Sequence, residues 1–241
     1  MESILKKFTD PYERKARLYP ALLAAFPVIF LIALYTDWLT FDVENAVYIM
    51  VAAAGLFWLT GKTRELGKVV ENRLVAEWGG MPSIALLRHR DSVLDLYTKQ
   101  RYHKNAKVLA DIDLPNPSEE ERDPVDADER YRAVTTALLS KTRDTNQYSL
   151  LFKENINYGF WRNLRGVRPI ACALAVFIAA LGLWFDRTRL TNLQPPDGIE
   201  LTLIVAGTVM LFAWVSTVTD EAVRRAAQNY AKRLLEALDK I

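Results

Sequence analysis

Apolar residues are spread unevenly along this chain, and the unevenness is its main signal. Four windows carry no charge: residues 19–34 (YPALLAAFPVIFLIAL), 46–60 (AVYIMVAAAGLFWLT), 169–185 (PIACALAVFIAALGLWF) and 201–218 (LTLIVAGTVMLFAWVSTV). A helix needs roughly 17–25 apolar residues to cross a hydrocarbon core. The first window passes that length when Tyr35 and Leu39 are added, and the second reaches it with Val43 at one end and Trp58 at the interface. Trp184 and Trp214 stand toward the ends of the other two, where indole rings favour the headgroup level. Four uncharged runs in one chain of 241 residues predict a polytopic membrane protein and disfavour a soluble bundle of buried helices.

The polar stretches between the windows also carry helical spacing. Leu66, Val69, Val70, Leu74 and Trp78 extend the second window inward until Gly79 and Gly80 cap it. Ser83 is placed to cap a short segment, and a longer helix follows with Val93, Leu94, Tyr97 and Arg101. The run DIDLPNPSEEERDP reads as a loop, and Asp123 before Pro124 as the start of a helix carrying Ala127, Tyr131, Val134 and Leu138. Tyr148, Leu151, Asn155 and Tyr158 lead into the third window. A last stripe, Val223, Ala227, Tyr230, Leu234 and Leu238, should pack on the insert or on another subunit. The expected class is all-α, with four transmembrane helices in two hairpins and a helical cytosolic domain.

Lysine and arginine beside the windows orient the chain. Arg14, Lys15 and Arg17 precede the first, Lys62, Arg64 and Lys68 follow the second, Arg162, Arg165 and Arg168 precede the third, and Arg224 and Arg225 follow the fourth. Arg187 and Arg189 dissent. By the positive-inside rule both termini are cytoplasmic. The expected division is a cytosolic segment 1–18, a hairpin 19–60, a cytosolic domain 61–166, a second hairpin 167–218 and a cytosolic helix 219–241. The basic opening, with no small-residue cleavage pattern after the first window, predicts that the first helix is retained.

Charge and chemistry narrow the function. A net charge of +2 excludes a bulk polycation, and the single cysteine, Cys172, inside an apolar run, excludes a disulfide framework within one chain. No window holds an ionisable group of the kind that proton relays and coupled-ion sites need. Glycine-rich phosphate loops and nucleophile elbows are absent from the sequence, so no catalytic residue and no cofactor is expected. His89 and His103 are the only histidines, and as surface residues of basic segments they predict no metal site.

Three groups remain as candidates. A basic strip of Arg88, His89, Arg90, Lys99, Arg101, His103 and Lys104 has the guanidinium and ammonium groups that pair with phosphate, and Tyr97 and Tyr102 offer stacking faces. A solvated face paired with the acidic run SEEERDPVDADE is the competing reading. The stretch Asn155, Tyr158, Arg162, Asn163, Arg165 and Gly166, ahead of Pro169, mixes an interfacial anchor with a predicted flexible joint that would couple the domain to the third span. Asp37, Asp42, Asp186 and Asp197, in the outer loops, would form acidic rings at the mouth of a symmetric oligomer.

The segments WGGMPS, LLRHRD, YTKQRYH, DADERY, TRDT and LLFKENINYGFWRNLRG, within residues 78–166 and set between two hydrophobic hairpins, resemble bacterial membrane proteins encoded beside nucleotidyltransferase-like genes. Among these they resemble the membrane effectors of Hailong-type anti-phage defence. The resemblance covers most of the chain. It implies a homo-oligomeric ion channel of the bacterial inner membrane, with the lipid bilayer as partner. It also implies gating by a nucleotide or oligonucleotide that the partner enzyme makes. It transfers no ligand residue by position. A membrane scaffold, or a membrane enzyme using His89, Asp91 and His103, are the alternatives.

Overall fold

The computed structural model describes residues 10–35, 43–192, 194–195 and 198–240, and among them every regular element is helical. In chain order these are α1 (Glu13–Leu18, π-wound), α2 (Tyr19–Tyr35), α3 (Val43–Glu77), α4 (Pro82–Ala85), α5 (Leu96–Ala110) and α6 (Pro117–Arg122). There follow α7 (Pro124–Lys141), α8 (Ser149–Phe185), α9 (Arg187–Thr191), α10 (Gly198–Thr217) and α11 (Asp220–Glu236), with a 3₁₀ turn at Ala237–Lys240. Among the described residues four helical stretches, Glu13–Leu34, Ala46–Ala85, Ser149–Phe185 and Gly198–Thr217, are long and apolar enough to cross a membrane. At most 33% of any of their apolar windows is buried within the chain, so most of that surface is left for lipid or for another chain.

Local chemistry sets the helix ends. The Asp95 carboxylate accepts from Thr98 N–H at 2.9 Å to cap α5, and Asp123 does the same for α7 through Asp126 N–H. The α3 end is a Schellman turn: Gly79 N–H donates to Ala76 O and Gly80 N–H to Val75 O, with positive φ at both glycines.

The expected loop at DIDLPNPSEEERDP contains α6. Asn116 and Glu119 form a reciprocal capping box, with Pro117 in the first turn. Ser83 is not a cap, because Met81 holds that position and Pro82 opens α4. Cys172, read as buried, is half-buried. The joint predicted at Gly166 and Pro169 is also replaced, since α8 runs through both without interruption.

The chain divides into two compact units, Met1–Glu71 with Gly159–Ala222 and Asn72–Tyr158 with Val223–Ile241. In the first unit, Ala21, Ala24, Leu59, Leu164, Val167, Ala171 and Trp214 make the core. Here α3 and α8 approach closely, for a Cβ on Gly166 would lie 2.6 Å from Gly67 N, and one on Gly67 would lie 2.0 Å from Asn163 Oδ1. The contact of α8 with α10 is equally tight, with a Cβ on Gly207 falling 2.7 Å from Ala175 O. A buried polar layer accompanies the first crossing: Arg162 donates to Glu71 at 2.9 Å, and Asn163 Nδ2 donates to Ala16 O at 2.7 Å.

In the second unit, Leu86, Leu87, Tyr102, Tyr131, Val134 and Leu138 pack with Leu234, Leu235 and Leu238. The C-terminal stripe therefore packs on residues 72–158. The boundaries expected at 61, 166 and 219 and those of the compact units differ because the units follow packing, and the divisions fall inside α3, α8 and α11.

Candidate anion site

The second unit carries a small cationic cleft, and its wall begins at the α3 cap. With the chain turned at Gly79 and Gly80, the Gly79 carbonyl accepts from Arg88 Nη2 at 2.7 Å. The same guanidinium is held by both carboxylate oxygens of Asp128, at 2.8 and 2.7 Å. A bidentate pair fixes the plane of the fork as well as its position. Arg88 is buried and committed, so it positions the turn.

The irregular segment after α4 is clamped from two sides. Lys99, only 4% exposed, donates its ammonium to the carbonyls of Arg88 (2.7 Å) and Asp91, with a longer contact to His89 O. Glu120, 5% exposed, accepts from His89 N–H and the Tyr131 hydroxyl, each at 2.7 Å, and weakly from Arg90 N–H. Burial pushes the Glu120 carboxyl up, but the hydrogen bonds outweigh it and hold the group below the usual range. Burial draws the Lys99 ammonium below its usual value, opposed by Asp91 and Glu120. One buried cation and one buried anion together satisfy the polar backbone of a segment that forms no helix.

Both histidines face inward. His89 Nε2–H donates to Pro115 O at 2.8 Å and His103 Nε2–H to Leu87 O at 2.7 Å, which sets the tautomer of each, and the rings meet edge to face at 4.8 Å. Burial pushes the His103 imidazole below its usual range; His89 and Lys99 push the same way, against the Leu87 carbonyl and Glu120.

What remains open is a cleft of about 230 Å³ whose polar lining is Arg88, Arg90, Asp91, Arg224 and Gln228, beside Trp78 and Gly80. Arg90 has a 57% exposed side chain and only a 4.0 Å approach to Glu120, and Arg224 is exposed on α11. The volume lies below the roughly 300–1,000 Å³ of ordinary ligand pockets. It suits a phosphate or part of one nucleotide, with an indole beside it.

Of the basic strip, then, Arg88 and Arg90 line the cleft, while His89, Lys99 and His103 are spent on internal hydrogen bonds. Arg101 pairs with Asp239 at 2.9 Å, and Lys104 is exposed on α5 away from the lining. Sequence reading missed Arg224, Gln228 and Trp78, which lie far from the strip along the chain. It also missed Glu120, whose helix was signalled by Asn-Pro-Ser-Glu. Among the described residues no group of three or more His, Cys, Asp or Glu side chains is placed to hold a metal ion.

The linker residues fall in both units. Asn155 is half-buried in α8, and Tyr158 is buried and stacked on Tyr230, rings 6.1 Å apart. Arg162, Asn163 and Gly166 belong to the close crossing of the first unit, and Arg165 pairs with Asp220 at 2.8 Å. Of the acidic mouth residues, Asp37, Asp42 and Asp197 lie outside the described residues. Asp186 is only 3% exposed, so it is buried where a solvent-facing ring was expected.

Comparison with protein-family models, with curated proteins and with solved structures finds no match. The chain's own features define its class: an all-helical protein with, among the described residues, four helical stretches long and apolar enough to cross a membrane and a compact helical unit bearing a cationic cleft.

Proposed function

We propose that this chain is an oligomeric membrane protein that conducts ions under the control of a phosphate-bearing ligand, a nucleotide or the end of an oligonucleotide, held at Arg90 and Arg224. The observation that carries the reading is the cleft itself, with two exposed guanidinium groups beside Trp78 in a unit whose α3 and α8 continue as apolar, span-length helices. The spans form two hairpins, 19–60 and 167–218, with residues 61–166 and both termini on the cytoplasmic side of a bacterial inner membrane, as the flanking lysines and arginines favour. Exposed apolar faces, such as Val205, Val209 and Phe212 on α10, leave surface for other copies, and Gly55 has open space around it. A role in anti-phage defence follows from the resemblance alone.

The test is ion flux from liposomes containing the purified protein, with nucleotides added on the side of the cleft. Flux that depends on nucleotide and is lost in Arg90→Gln is the expected result. A second reading, a non-conducting membrane anchor, is favoured by the lack of charged residues in the apolar windows. It predicts leakage no faster than from empty liposomes.

A further inference from the structure

The first unit contains a second cavity, a groove of about 820 Å³ lined by α1 and α3, within the usual size range of ligand sites. Its wall changes character along α3. Leu56, Phe57 and Trp58 supply an apolar stretch, with Phe57 58% and Trp58 60% exposed. About one to three turns further come Lys62, Arg64 and Lys68, and α1 adds Arg17. Against these four cations the lining holds two carboxylates, Glu13 and Glu65, and Lys68 is paired outside it with Glu71 at 2.6 Å.

Internal pairing does not exhaust the cations. Lys62 pairs with Glu65 at 2.7 Å, but both side chains are well exposed, and such pairs are weak and exchangeable. Arg64 is exposed. Arg17 pairs with Glu13 through Nη1, yet its Nε is buried with no hydrogen-bond partner, a donor that lacks an acceptor.

We propose that this groove binds a phospholipid with an anionic headgroup, its acyl chain along Leu56, Phe57 and Trp58 and its phosphate among Arg17, Lys62 and Arg64. Basic pockets beside spanning helices recognise anionic headgroups through this combination of charge and apolar wall. A free phosphate would leave the apolar half uncovered. An apolar helix of a second copy would cover that half but would desolvate Arg64 and the buried Arg17 Nε donor without supplying an acceptor. The inference rests on α2 and α3 being membrane spans and not on conduction, so absence of ion flux would sink the channel and leave the lipid site standing.

The experiment is native mass spectrometry of the full chain in detergent, offered equal amounts of phosphatidylglycerol and phosphatidylcholine with identical acyl chains. The expected result is retention of phosphatidylglycerol in preference, the preference falling about fivefold for each of Lys62→Gln and Arg64→Gln. Gly61→Phe, at a lining position where a Cβ meets nothing within 4 Å, should fill the groove and exclude both lipids. Equal retention of the two lipids, or an undiminished preference in the double variant, overturns the headgroup assignment. Unchanged binding in Gly61→Phe overturns the location. Disulfide crosslinking between chains through Gly61→Cys, with no lipid adduct, would give the groove to a second copy instead.

Discussion

The two compact units are held together by different kinds of burial. In the first, many fully buried positions are small: Ala16, Ala21, Ala24, Ala171 and Ala175 are all at 0% exposure. Gly67, Gly166, Gly182 and Gly207 sit where a Cβ would come within 3.0 Å of a neighbour. In the second, Tyr131, Leu86, Leu87, Leu138, Leu234 and Leu238 fill the centre, and Arg88, Lys99 and Glu120 are buried beside them. The contrast is clearest where the first unit is apolar, at Ala21, Ala24, Ala171, Ala175, Gly182 and Gly207, whereas Ala16, Gly67 and Gly166 pack beside the polar Arg162, Asn163 and Glu71. Apolar helices in lipid gain little from hiding apolar area, so close backbone approach and dispersion supply the attraction. A helical unit in water gains most by removing large side chains from solvent.

The sharpest way to break that comparison is to put a side chain where the first unit has none. Gly166→Leu drives carbon atoms into the backbone of Leu66 and Gly67, with no flexible side chain to give way. A destabilisation of about 3 kcal/mol or more is expected, read as loss of the monodisperse peak and of the thermal transition in detergent. Gly61→Leu, the same change on α3 with nothing within 4 Å of the added Cβ, should melt as the native protein does. Equal behaviour of the two would show that flexibility at Gly166, and not close approach, is what the position supplies.

Next in size is the polar clamp of the second unit. Lys99→Met keeps most of the apolar stem but leaves the carbonyls of Arg88, His89 and Asp91 without their cation. Unsatisfied buried acceptors make this about 3 kcal/mol unfavourable, measurable as a lower denaturant midpoint. An equivalent loss is not expected for Lys104→Met, since Lys104 is exposed.

These two cases also show which parts of the molecule were legible in the sequence. The spans were, because an uncharged run long enough to cross a bilayer is a local property of the chain. The end of α3 was too, since Gly79-Gly80 is a local signal for a left-handed cap. Gly166 was misread because its role depends on Gly67, 99 positions away, and a glycine near a proline looks locally like a hinge. The pairing of the basic strip with the acidic run, the competing reading, holds for Arg88 with Asp128 and Arg90 with Glu120, but which cations are committed was not legible, for the same reason. Arg88 is claimed by Asp128 on α7, and Lys99 by carbonyls that no pattern of side chains reveals. Arg224, on the other side of the cleft, comes from a helix after the last span. The α6 helix is different: Asn116 and Glu119 announced it, and its proline-rich surroundings hid the signal.

A smaller effect separates the units by pH. Burial holds His103 below its usual pKa, with His89 and Lys99 adding to it and the Leu87 carbonyl and Glu120 opposing, so the unfolded chain binds the proton more readily than the folded one. Stability from this group is therefore complete above about pH 6.5 and is lost as pH falls from there through the folded value. Glu120 has the same sign, with its contribution lost below about pH 4.5. Melting followed at pH 7.5 and 5.5 should show a drop that shrinks in His103→Gln, whose amide can still donate to Leu87 O. A native transition flat across that range would remove His103 from the account.

The smallest expected change in stability is the one most informative about the cleft. Within the second unit, cations are of two kinds: Arg88 and Lys99 are spent on the backbone, whereas Arg90 and Arg224 border open space. Arg224→Gln should leave the melting point within about 0.5 kcal/mol of native, as exposed substitutions usually do. It should nonetheless weaken binding of a nucleoside triphosphate, measured calorimetrically on the full chain in detergent, by about tenfold, the loss of one charge-assisted hydrogen bond. Arg101→Gln is the matched control, because its guanidinium is paired with Asp239 and does not line the cleft. Loss of binding in Arg101→Gln but not in Arg224→Gln would return the ligand to the exposed face of α5, where the basic strip of the sequence first pointed, and would leave the cleft as a seam between α3, α4 and α11.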